Sequence, residues 1–171
     1  TWTHLRWGGG IDGLQLAFFD RHLRDRPGLE ERPAVAVEDL RGGGWRQADA
    51  AAAPRRWGLR SDGRAAIDAA EGRLLPEASG GGLVVLVHDP WRPAPGRGGH
   101  LGLDAGVVER ADLDARSDVA CFSTAPLEQA MDWLGQPLLT LEVAADQPGF
   151  DLCAALSVVR GGGRSVQQLS T

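Results

Sequence analysis

Leu138-Leu139-Thr140-Leu141-Glu142-Val143-Ala144, followed by Leu152-Cys153-Ala154-Ala155-Leu156-Ser157-Val158-Val159-Arg160, decides the fold class. In the first run Leu139, Leu141 and Val143 alternate with other residues. In the second, Leu152, Ala154, Leu156 and Val158 do the same. A period of two is the signature of a strand with one buried face. The connection at 145–151 carries Asp146, Pro148 and Gly149, which suit a turn and not a crossover helix. The two runs are therefore expected to be neighbouring antiparallel strands whose alternating residues share one buried face. The second run then meets Gly161-Gly162-Gly163 and continues as Arg164-Ser165-Val166-Gln167-Gln168-Leu169, the pattern of a hairpin.

Working outward, further short runs stand at 34–37, 44–47, 56–60, 83–88 and 119–124. They are separated by turn chemistry: Gly42-Gly43, Ser61-Asp62-Gly63 and Gly80-Gly81-Gly82. Many short strands punctuated in this way predict a mostly-β chain, a sandwich or jelly roll. One helix is predicted, over 11–23. Ile11, Leu14, Phe18 and Phe19 recur at helical spacing, with Asp12, Asp20 and Arg24 on other faces. Arg21, His22 and Arg24 suit its C-terminus, and Pro27-Gly28 ends it. The alanine-rich stretch at 48–53 has no periodic apolar face and reads as a connection.

A chain of 171 residues is one domain, or one domain with a remnant of another, and can bury roughly two thirds of its unfolded surface. Its net charge of -5, with no basic run, excludes a nucleic-acid partner. No apolar stretch approaches the ~18 residues of a membrane span. The N-terminus lacks the zones of a signal peptide, so the expected location is cytoplasmic. In that setting Cys121 and Cys153, both in apolar runs, are expected to be buried free thiols. Every basic residue is Arg, and Lys, Asn and Tyr do not occur. This is the imprint of a GC-rich bacterial genome rather than of chemistry.

No complete catalytic site can be assembled from these residues. The histidines His4, His22, His88 and His100 form no pair at metal-ligand spacing, and the cysteines no CxxC, so no metal is called for. Gly8-Gly9-Gly10 precedes the helix but matches neither GxGxxG after a strand nor a GK[ST] ending. No cofactor is implied. Asp112 and Asp114, or Glu30 and Glu31, lie in polar loop stretches and make no glycosidase-like pair. There is no GxSxG nucleophile elbow. Thr1-Trp2-Thr3-His4, taken alone, is an unremarkable terminus.

Several segments, taken in order, change that reading. Leu16-Ala17-Phe18-Phe19-Asp20-Arg21-His22-Leu23 is similar to a helix ending in F-D-x-x-L. Pro33-Ala34-Val35-Ala36-Val37 with Gly44-Trp45-Arg46 is similar to a first sandwich strand and its W-R hairpin, and Leu59-Arg60-Ser61-Asp62-Gly63-Arg64 to the turn that opens a jelly roll. His88-Asp89-Pro90, Pro93, Pro95 and Gly98-Gly99 match D-P-x-x-P-x-P-x-x-G-G. Ser117-Asp118-Val119, Phe122-Ser123-Thr124 and Pro126-Leu127 match R-x-D-V-x-x-F-x-S/T-x-P-L, and residues 135–143 a G-P-x-x-x-x-L-x-V strand. Together they resemble the C-terminal half of the acyl esterases of the cocaine esterase and X-prolyl dipeptidyl aminopeptidase family.

The resemblance implies a galactose-binding-like jelly-roll β-sandwich over 31–171, with further strands expected after it. Residues 1–30 would be the end of an α/β-hydrolase domain, its linking helix included. The family triad is Ser, Asp and His. Trp2-Thr3-His4 fits the histidine's segment, so His4 is implied as the general base, although Thr1 stands where proline is usual. The serine and aspartate are expected upstream of Thr1. Residues 99–103, with Leu101 and Leu103, are the implied substrate-facing loop. The implied partners are the hydrolase core of the same polypeptide, a small ester or peptide substrate and a homodimer mate. Ester and X-prolyl peptide remain equally open. The alternative is a free-standing jelly-roll module that binds a carbohydrate or other ligand; it would have no use for the W-x-H segment and the linking helix.

Overall fold

Helix α1 (Ile11–Arg24) forms where the apolar spacing places it. Asp12 lies in its first turn and Arg21, His22 and Arg24 in its last, each complementing the helix dipole. Asp25 turns left-handed at φ 47°, and the Arg26 N–H returns to the Asp20 carbonyl at 3.1 Å, closing the end. These and the following features come from a computed structural model that describes residues 11–26, 36–39, 44–47, 53–99, 106–163 and 165–170.

The rest of the described chain is small antiparallel sheets with little helix, an arrangement consistent with a β-sandwich domain. Strands β1 (Ala36–Asp39) and β2 (Gly44–Gln47) pair with Glu38 opposite Trp45. Strands β3 (Trp57–Arg60) and β4 (Arg73–Pro76) pair with Leu59 opposite Leu74. Strand β5 (Val108–Glu109), the one-turn helix α2 (Ala111–Asp114), β6 (Leu156–Arg160) and β7 (Ser165–Ser170) complete the elements, with strand order β5-β7-β6.

The β3–β4 hairpin is extended on both sides by single parallel bridges, Arg60 to Gly81 and Arg73 to Ser123. The Ser61 N–H donates to the Gly81 carbonyl at 3.1 Å, and the Leu74 N–H to the Ser123 carbonyl at 2.9 Å. Between its strands the chain turns through Ser61, whose hydroxyl accepts from the Gly63 N–H and donates to Glu71 at 2.7 Å. Glu71 also accepts the Asp62 N–H. Ala65 and Ala66 are buried here, and Leu113 and Val166 are buried where α2 lies against β7.

The hairpin expected at Gly161–Gly163 is present: Gly162 sits left-handed at φ 67°, and β6 and β7 pair with Val158 opposite Gln167. The strand pairing expected between 138–144 and 152–158 is not. Residues 138–144 carry no strand, the second strand starts only at Leu156, and its partner is β7. Leu139, Leu141 and Val143 are exposed. Periodicity names a face, not a partner, and the four-residue connection at 161–164 brings β7 to β6 at a small loop-closure cost. Likewise 83–88 forms no strand, and 119–124 contributes only the bridge at Ser123. Strands β4 and β5 were not foreseen: Arg73-Leu74-Leu75-Pro76 does not alternate, and β5, of two residues, is too short to show a period. Pro76, which cannot donate to a ladder, ends β4. Both cysteines are free, but Cys153 is exposed and Cys121 only half-buried, where burial of both was expected.

Candidate functional site

His4, Leu101 and Leu103 lie outside the described residues, as does His100. What the structure does describe is how the chain approaches and leaves the stretch that holds Leu101 and Leu103. The segment from Asp89 to Gly99 runs as a strap across β5 and α2, without regular structure beyond its turns, and is fastened at four places.

The first fastening is local. Asp89 Oδ1 accepts the Trp91 N–H at 2.9 Å, and the Asp89 carbonyl accepts the Arg92 N–H at 3.0 Å. A short carboxylate taking the N–H two residues on replaces a backbone turn and is the usual reason for Asp before Pro in such loops. Trp91 projects from this turn 92% exposed.

The second fastening is Arg116. Its guanidinium grips Asp118 with two bonds, Nε to Oδ1 at 2.7 Å and Nη2 to Oδ2 at 2.6 Å, and Nη2 also donates to the Arg92 carbonyl. The planar fork suits a carboxylate held from both sides and leaves donors over for a backbone oxygen. The Arg116 hydrogen bond, ahead of its charge, holds the Asp118 carboxyl below its ordinary range.

The third is Gln168. It is 2% exposed, the most deeply buried large side chain among the described residues. Its Nε2 donates to the Arg97 carbonyl at 2.7 Å, while its Oε1 accepts from Arg110 Nη1 at 2.9 Å. Arg110 is held in turn by Asp114, Nε to Oδ1 at 2.8 Å, with both side chains largely buried. The Arg97 side chain reaches Asp112 at 2.8 Å, which lowers the Asp112 carboxyl pKa chiefly through that hydrogen bond.

The fourth is the glycine pair. Gly98 and Gly99 sit left-handed at φ 63° and 71°. A Cβ on Gly98 would press on Val108, the Gly106 carbonyl and the Gln168 amide, so the strap lies as near to β5 as bare backbone allows. Gly99 then bridges Gly106, whose N–H donates to the Gly99 carbonyl at 2.9 Å. The two ends of the 100–105 stretch are thus tied together at its base.

A neighbouring polar set braces the platform beneath. Glu109 accepts from Ser165 Oγ at 2.6 Å and from the Val166 N–H at 2.7 Å, lowering its own pKa. The Arg110 N–H donates to the Val166 carbonyl at 2.8 Å. Among the described residues no group of His, Cys, Asp and Glu could hold a metal ion, and no helix is long and apolar enough to cross a membrane.

The strap is the D-P-x-x-P-x-P-x-x-G-G segment, and its second fastening is the R-x-D pair, so two of the sequence motifs meet in space. Residues 27–171 match the family model of the X-Pro dipeptidyl-peptidase C-terminal non-catalytic domain. The chain belongs to this family. No curated protein and no solved structure matches it. In this X-Pro dipeptidyl-peptidase C-terminal domain, Arg97, Arg110 and Gln168 escaped sequence reasoning. Gln168 was read as an ordinary strand residue; the available signal was its place two residues after Val166, on the buried face of β7.

Proposed function

We propose that the chain is the C-terminal part of a serine hydrolase, an acyl esterase or X-prolyl dipeptidyl-peptidase, whose jelly-roll domain over 31–171 packs on the catalytic core and helps shape the substrate pocket. The observation that carries this reading is the match of residues 27–171 to a non-catalytic C-terminal domain. Residues 1–30, α1 included, are then the end of the α/β-hydrolase domain. The exposed Leu16, Phe18, Phe19 and Leu23 of α1 supply apolar surface for burial against that core.

In this arrangement His4 is the general base. It takes the proton of the core's serine as that oxygen attacks the substrate carbonyl, and returns it to the leaving alcohol or amine. The aspartate of the triad orients the imidazole. Leu101 and Leu103, which follow the Gly98-Gly99 end of the strap, offer apolar contacts to the substrate. A fixed loop base limits the ordering cost of binding, and the four fastenings of the strap support that role.

The test uses the polypeptide that joins this domain to its core. His4→Ala should lower turnover of an activated short-chain ester or an X-prolyl anilide by at least about a thousandfold with the melting temperature kept. Full activity in that variant removes His4 from the triad. The 171-residue chain alone, which contains no GxSxG serine, should show no turnover above buffer. Tight binding of a sugar by that chain, with no hydrolase attached to it in the cell, would favour a free-standing binding module instead.

A further inference from the structure

We propose that Gln168 is a positioning residue for the hydrolytic reaction: from the buried face of β7 its amide holds the Arg97 carbonyl and so sets where the Gly98-Gly99 end of the strap stands at the substrate pocket. The inference rests on the pocket-facing reading of that end given above.

Strand β7 buries Val166 and Gln168, two residues apart on one face. An apolar side chain at 168 would fill that position without the desolvation that an amide incurs. What the amide adds is direction. Both of its ends are engaged, Oε1 by Arg110 and Nε2 with the Arg97 carbonyl, so rotating it forfeits one bond or both. Arg110 is itself fixed by Asp114, which makes the anchor a connected set rather than a single contact.

The other contacts that hold the strap end are the exposed Arg97–Asp112 pair at 2.8 Å and the bond from the Gly106 N–H to the Gly99 carbonyl at 2.9 Å. Gly98 and Gly99 carry no side chains, and their left-handed backbone serves to let the strap lie against Val108 and Gly106. Sliding along that surface meets no interlocking side chain at these two positions. The 2.7 Å bond from Gln168 Nε2 opposes it from a side chain that is 2% exposed, where water does not compete for the Arg97 carbonyl as it does for the exposed Arg97–Asp112 pair. Contacts of this loop with the substrate are made alike in the bound state and the transition state, so shifting the loop weakens both and is read as a rise in KM.

The experiment uses the polypeptide carrying both domains, with a bulky acyl ester and an X-prolyl anilide as substrates. Gln168→Glu keeps the acceptor facing Arg110 but sets an anionic oxygen against the Arg97 carbonyl; Gln168→Met keeps the volume and removes both polar groups. Each should raise KM by on the order of tenfold with kcat within about twofold. A purely structural role would instead lower the active fraction, and with it kcat, at unchanged KM. Gly98→Ala presses on the same contact from the strap side; it should give the same KM shift and add nothing in the double variant. If either Gln168 variant accumulates unfolded, Gly98→Ala and Gln168→Asn carry the test. Unchanged KM in the Gln168 and Gly98 variants, while Leu101→Ala and Leu103→Ala raise it, overturns the role of Gln168 and leaves the pocket reading standing. Unchanged KM in all of them overturns both.

Discussion

Arg116 grips Asp118 through two hydrogen bonds and holds the Arg92 carbonyl with the same terminal nitrogen. One guanidinium thus ties a carboxylate two residues away to a backbone oxygen on another segment. The R-x-D spacing follows from this: the intervening residue lets both side chains fall on one side of the turn, and the backbone contact fixes the strap.

That pairing makes acid the condition under which the strap loosens. Hydrogen bonds to Arg116 depress the Asp118 pKa, and those from Ser61 and Asp62 depress that of Glu71. A carboxyl whose pKa is lowered by folding stabilises the folded state above its unfolded value, near 4, and that contribution is lost as pH falls through the folded value. The melting temperature should therefore hold steady from pH 7 to about 5 and fall below about 4. Asp118→Asn should lower it at pH 7 and flatten the acid limb. An unchanged limb in Asp118→Asn together with Glu71→Gln would remove these two groups as its cause.

The two thiols should differ in reactivity. Burial, with a smaller contribution from the Asp114 charge, pushes the Cys121 thiol up to about 11, whereas Cys153 is exposed. The thiolate is the nucleophile, so at pH 8 iodoacetamide should label Cys153 at least about tenfold faster than Cys121. In denaturant without reductant both should label. Peptide mapping at timed quenches reads the order, and faster labelling of Cys121 would contradict its burial.

Glycine placement gives a paired test of the β3 edge. Gly82 sits at φ 106°, and a Cβ there would collide with the Ser61 carbonyl, while one on neighbouring Gly81 meets nothing within 4 Å. Gly82→Ala should destabilise by roughly 2–4 kcal/mol, from left-handed strain and the clash together. Gly81→Ala should stay within about 0.5 kcal/mol. Denaturant midpoints of the two variants measure the difference; equal midpoints would place the 80–82 turn elsewhere.

Sequence legibility followed the range of the interaction. Helix α1, β2 and the Gly161–Gly163 hairpin depend on neighbours in the chain, and all three formed where the residues placed them. The pairing of 138–144 with 152–158 depends on a choice among partners, which alternation does not encode. The strap was visible as a motif, but its fastenings were not. Gln168 reaches Arg97 across 71 positions and Arg110 across 58; alternation with Val166 offers its face, but neither the amide's partners nor its direction can be read from Val166-Gln167-Gln168-Leu169. The expected site residues His4, Leu101 and Leu103 fall outside the described residues, so only the base of their loop connects sequence to structure.

Alternation marked Leu141 as an interior residue, yet it is 43% exposed, whereas Leu113, on a four-residue helix that alternation does not reveal, is 7% exposed. Leu113 lies where α2 meets β7, beside the Arg110–Asp114 pair and the Arg110 N–H bond to Val166. Truncating it removes buried methyl groups and leaves a cavity whose walls are hydrogen-bonded and collapse poorly. Leu113→Ala should therefore cost about 2–4 kcal/mol. Leu141→Ala removes surface already in contact with water and should cost less than about 1 kcal/mol. Because Leu113 supports the helix that carries Asp112 and Asp114, its loss should also speed hydrogen exchange at the Gly106 amide, which closes the strap base through Gly99. Equal costs for the two leucines would mean that 138–144 is buried after all, and the pairing read from its alternation would then have to be restored.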